Sequence, residues 1–157
     1  MSGFDLERFR SCASQLSPRT AAVPVDDLAH WFPEGVKPVW TVRGLTGVEI
    51  ATANDASGRA RIYAATVEAL ASAAHSDQAD ALKKLFGADG EPPEELAKRF
   101  DHLVFGSVDP KIAREDAIRL FALYPVVGYQ LTNKILELTG LGPDLGKVPR
   151  STETPMS

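Results

Sequence analysis

The stretch Pro38-Val-Trp-Thr-Val-Arg-Gly-Leu-Thr-Gly-Val-Glu49 decides how the rest of the chain is read. Its first half, 38–43, is a β-branched and aromatic run of strand length with Gly35 before it and Gly44 after it. Its second half changes period. Thr46 followed three residues later by Glu49 is a capping box, in which the hydroxyl accepts from an early backbone amide and the carboxylate reaches back to the cap. Gly44 and Gly47 supply the turn around that cap. One short strand therefore feeds a helix, and the pattern stays helical from there to Gly140.

Toward the N-terminus, four of the eleven prolines, Pro18, Pro24, Pro33 and Pro38, fall within residues 1–38. Such spacing permits only short helices, predicted at about 4–16 and 25–31, the second capped by Asp26 and carrying Leu28, Trp31 and Phe32. An unpaired strand leaves backbone groups unsatisfied, so residues 21–25 are the expected partner of 38–43. Pro24 confines that partner to an edge.

Toward the C-terminus, Ile50, Ala53, Ala60, Tyr63 or Ala64, Val67, Leu70 and Ala74 recur at helical spacing up to His75, while Asn54, Asp55, Ser57 and Gly58 predict a kink or break. Further helices are predicted at 77–86, closed by Gly87, and at 92–104, opened by the acidic and proline segment 91–94. Asp109 is expected to cap a helix from Pro110 to about Ala122, ended by Tyr124-Pro125. A last helix, 126–139, aligns Val127, Leu131, Ile135 and Leu138, and Gly140 stops it. The fold class is mainly α: a single helical domain with a short β-strand or hairpin near the N-terminal third. An arm of short helices (1–37) precedes a helical core with its leading strand (38–141), and a turn-rich, flexible tail follows (142–157).

Composition bounds the function. The 157 residues carry 17 Lys+Arg against 21 Asp+Glu, a formal net charge of −4, so broad electrostatic capture of nucleic acid is not expected. A single cysteine, Cys12, makes neither an internal disulfide nor a thiolate metal cluster, as suits a cytoplasmic protein. No apolar run approaches the roughly 18 residues of a membrane-spanning helix, and the N-terminus lacks a signal-peptide pattern.

A search for chemistry returns structural readings. His30, His75 and His102 are far apart in sequence and read as surface or boundary residues rather than zinc ligands. Cys12, four residues after Arg8, sits among Phe9, Ala13 and Leu16 and reads as a small hydrophobe. The segment 44–47 joins a strand to a helix but lacks the glycine-lysine pattern of a phosphate loop. Glu115 and Asp116 lie one turn before Arg119, and Glu94 and Glu95 one turn before Lys98 and Arg99, which reads as ion-paired surface rather than an acid–base dyad. The chain is therefore expected to be no enzyme and to hold no cofactor or metal. Its candidate partner-binding residues are aromatic and apolar: Trp31, Phe32 and Trp40, then Tyr124, Tyr129 and Leu141, together with Arg43. The first three are expected to cap the helical core, with a docking surface as the alternative.

The run 39–49, a strand ending in Val-Arg-Gly-Leu-Thr-Gly before an acidic helix start, resembles the tail assembly chaperones encoded by long-tailed bacteriophages and related prophages. The likeness extends to Leu131-Thr-Asn-Lys-Ile-Leu-Glu-Leu-Thr-Gly140 and to the Gly-Pro and Gly-Lys pairs of the tail, under a third of the chain in all. The resemblance implies a small, largely helical, non-enzymatic protein that binds the tape measure protein, keeps its hydrophobic helices soluble and helps recruit tail tube protein. It also implies self-association, no membrane partner, and a second length made by frameshifting, for which Gly146-Lys147 offers a candidate site. The alternative is a regulatory or adaptor domain, DNA-associated if helices 92–104 and 110–122 form a helix-turn-helix-like pair carrying Lys98, Arg99, Lys111, Arg114 and Arg119.

Overall fold

The computed structural model describes residues 3–73 and 93–144. The helix expected at 77–86, Ala74, His75, and the tail from 145 with Gly146-Lys147 lie outside the described residues. Asp5 accepts from the Arg8 amide at 3.0 Å and opens α1 (Leu6–Cys12). The helix expected at 4–16 is shorter than that spacing suggests, because it tightens into a 3₁₀ turn at Ala13–Gln15. Next come β1 (Ser17–Pro18) and β2 (Thr20–Pro24). The helix expected at 25–31 is a 3₁₀ helix, Asp26–Trp31, and Asp26 does not cap it. Val25 takes the cap position without a side-chain bond, its own amide being held by the Pro38 carbonyl at 2.9 Å.

The strand read from 38–43 is β3 (Val39–Arg43), and its partner is β2, antiparallel, with Val23 opposite Trp40. β2 is the edge strand of a three-stranded sheet with β3 in its middle, and an edge is where Pro24 belongs. The capping box is present as read: the Glu49 amide donates to Thr46 Oγ1 at 3.3 Å and the Thr46 amide to Glu49 Oε1 at 2.9 Å, opening α2 (Gly47–Ala53). The predicted break follows at Asn54 and Asp55, and α3 (Ala56–Ala73) resumes.

After α4 (Glu94–Gly106), residues Ser107–Asp109 form β4, with Asp109 opposite Thr41. Asp109 therefore ends a strand and does not cap a helix at Pro110. The helix α5 starts at Arg114, where the Asp116 carboxylate accepts the Ala113 amide at 3.0 Å. Pro125 then occupies the first turn of α6 (Pro125–Leu141). This last helix runs through Gly140 and stops at Gly142, whose φ of +78° is a conformation that side-chain-bearing residues avoid. Immediately beyond, β5 (Pro143–Asp144) pairs with β1, so the chain after α6 is tied to the arm.

The fold is mainly α with a short β element near its N-terminal third. α6 is central: it packs against α4, α5 and β3, and its Leu131 and Ile135 are fully buried. Around them Tyr63, Phe100 and Phe121 form an aromatic run, with Tyr63 and Phe100 centroids 4.9 Å apart and Phe100 and Phe121 edge to face at 5.5 Å. Gly44 lies where β3 ends against α6. A Cβ there would sit 3.0 Å from the backbone of Leu138 and Thr139, so its role is close approach as much as turning. Among the described residues no helix is long and apolar enough to cross a membrane.

Candidate functional site

The connection between β2 and β3 folds over the sheet and meets the end of α5, leaving a groove of about 790 Å³ between them. Leu28 and Trp40 are buried on its inner side, and the Trp40 indole N–H donates to Ser107 Oγ at 3.0 Å, which in turn donates to the Leu103 carbonyl at 2.6 Å. Phe32 and Leu120 continue the apolar lining. Three large apolar side chains of the lining remain in water: Trp31 is 67% exposed, Leu123 54% and Val36 51%. The Trp31 indole N–H donates to the Tyr124 hydroxyl at 3.2 Å, a bond between residues that are 93 positions apart. Lys37, Asp109 and the Asp116–Arg119 ion pair, at 3.3 Å, add charge to the lining. Clustered apolar surface with a few polar groups is the usual character of a binding site, which makes this groove the candidate.

Four of the residues singled out in the sequence thus converge here: Trp31, Phe32, Trp40 and Tyr124. Trp40, only 7% exposed, is core and not docking surface, the expected first use of these aromatics. The others lie elsewhere. Arg43 is held within the fold, with bonds of 2.9 and 2.6 Å to the two oxygens of Glu49 and one to the Gly44 carbonyl. That pairing raises the arginine's pKa and draws the Glu49 carboxyl below its usual range. Tyr129 stacks edge to face on Phe121 at 5.3 Å and lies beneath the Arg99 guanidinium at 4.8 Å. Leu141 is exposed at the end of α6.

Sequence reasoning missed a buried polar cluster between α3 and α4. Asp101, 1% exposed, accepts from Arg59 Nε at 2.8 Å, Arg59 Nη2 at 2.6 Å and the Tyr63 hydroxyl at 2.6 Å. Burial, reinforced by the bond to Asp101, raises the Tyr63 pKa far above the ordinary phenol range, so the phenol stays protonated as a donor. Asp101 is withdrawn from water while the Arg59 side chain is 16% exposed, and the mutually satisfied cluster reads as a structural tie. A signal was available: Asp101 follows Ala97 by four residues, on the apolar face of α4. His102, buried beside it, has its pKa lowered chiefly by desolvation, and its Nδ1 has no hydrogen-bond partner among the described residues.

Cys12 is half-buried, its sulfur 3.9 Å from Ser11 Oγ. Among the described residues no three His, Cys, Asp or Glu side chains converge as metal ligands would. Lys98 pairs with Glu94 and Glu95 as read, at 3.8 and 3.6 Å. Arg99, by contrast, turns to Thr132 and Asn133, at 2.6 and 2.7 Å. Helices α4 and α5 are joined through β4 and residues 110–113, so the compact turn of a helix-turn-helix pair is replaced by a strand built into the sheet. Comparison of the chain with protein-family models, curated proteins and solved structures finds no match.

Proposed function

We propose that the chain is a non-enzymatic tail assembly chaperone of the kind encoded by long-tailed bacteriophages and prophages, acting in the host cytoplasm. It binds and solubilises the tape measure protein and helps recruit tail tube subunits. The observation that carries this reading is the apolar groove with Trp31, Val36 and Leu123 left in water at its edge. An amphipathic helix of the partner lays its apolar face there, and burial of that face, worth about 25 cal/mol per Å², drives binding. Lys37 and Asp109 set register through charges that the partner must match. The resemblance of 39–49 to such chaperones supports the choice of partner.

Co-expression with the tape measure protein encoded beside it tests the reading. The tape measure protein is expected to remain in the soluble fraction and to co-purify with the chain, and to do neither with a Trp31→Ala, Leu123→Ala variant. A tape measure protein equally soluble without this chain overturns the proposal. A regulatory or adaptor domain would use the same groove for a different helical partner, and absence of any complex with the tape measure protein would favour it.

A further inference from the structure

The connection that forms one wall of the groove is closed at its neck. The Val25 amide donates to the Pro38 carbonyl at 2.9 Å, so residues 26–37 leave the sheet and return to it at one point, as in an Ω-loop. Its two halves differ. The first is pinned by Leu28, which is buried, inside the 3₁₀ helix. In the second, Phe32 is half-buried, while Trp31 and residues 33–37 are exposed. Gly35 sits at φ +82° with open space around it, in a tight turn closed by the Val36 amide donating to the Pro33 carbonyl at 3.0 Å, so this half moves as a preformed turn. Across the groove the Trp31 indole reaches the Tyr124 hydroxyl at the junction of α5 and α6.

We propose that residues 30–37 are a strap over the groove, latched by the Trp31–Tyr124 hydrogen bond, which opens to admit the partner's apolar segment. The inference rests on the groove being the docking site. Water can replace either partner of an exposed neutral hydrogen bond, so the latch is a modest bias toward the closed state and not a lock. While closed, the strap lays the indole along the lining and reduces the apolar surface that an empty chaperone offers to other molecules. A ligand that binds only the open state has its affinity reduced by the fraction open, and one hydrogen bond of this kind biases that fraction by about fivefold.

The test uses the full chain with anilinonaphthalene sulfonate as an apolar probe. Tyr124→Phe and Trp31→Phe each remove one side of the latch and keep an aromatic ring. Each is expected to tighten dye binding about fivefold, and the double variant no more than either alone, because both remove the same bond. Leu123→Asp, at the exposed edge, is expected to abolish the signal. Equal affinity in wild type and both latch variants, or weaker binding in either, overturns the strap and leaves the groove reading standing. No dye binding by any chain, or a signal indifferent to Leu123→Asp, overturns the groove reading and the strap with it.

Discussion

Two of the places where an aromatic hydrogen-bond donor joins distant elements do opposite work. Between α3 and α4, Tyr63 and Arg59 both donate to Asp101, which is withdrawn from water. At the groove, Trp31 donates to Tyr124 while two thirds of its own surface stays wet. Inside, each partner without the others is a desolvated polar group, so the cluster holds as a unit. Outside, water stands in for any missing partner, so the bond is free to exchange. Burial, not bond type, separates the tie from the latch.

The sharpest way to break that comparison is Asp101→Ala, which strands a guanidinium and a phenol inside the protein. A loss of about 3–5 kcal/mol in urea unfolding is expected, and a loss under 1 kcal/mol would put the cluster on a par with the surface bond. Gly106→Ala probes the same buried side by volume alone. Its new Cβ would meet Ile135 Cδ1 at 2.5 Å, and about 1–3 kcal/mol should be lost in the same measurement.

The capping box, with Thr46 exposed and Glu49 half-buried, falls between the extremes. Thr46→Ala should cost about 1 kcal/mol. The pairing with Arg43 sets the sign of its pH dependence. Glu49 has a folded pKa below its unfolded one, so its contribution is present above the unfolded value, about 4.3, and is lost as pH falls through the folded pKa. Glu49→Gln is therefore expected to be less stable near neutrality and to lose less on acidification below about pH 4, read by thermal unfolding across that range. The smallest effect on stability belongs to Trp31→Ala, expected within about 0.5 kcal/mol of wild type although partner binding is lost. A melting temperature lowered as far as by Gly106→Ala would make Trp31 a core residue and erase the contrast.

Local chemistry made much of the architecture legible. Thr46 and Glu49 are three residues apart, and their capping box needs nothing beyond one helical turn. The pairing of 20–24 with 39–43 follows from a strand's need for a partner and from the edge preference of Pro24. Where a residue had two possible uses, local reading chose wrongly. Asp109 is a good cap by type, yet β3 recruits its backbone into the sheet. Asp26 precedes a helical turn, yet the tether of Val25 to Pro38 tightens that turn into a 3₁₀ helix. Gly140 and Gly142 are both credible stops, and the chain uses the one beyond which β5 pairs with β1.

By itself, the sequence determined the helical class, the strand that leads it, the capped start at Thr46 and the set of aromatics worth watching. These follow from period, caps and breakers, whose partners lie within a few residues. Only the tertiary structure decided which aromatics are core and which face water. It alone placed Trp31 against Tyr124 and set Asp101 between Arg59 and Tyr63, 42 and 38 residues earlier in the chain. Such contacts depend on how helices pack across long separations, and burial, which gives each its meaning, belongs to the assembled fold rather than to any segment of it.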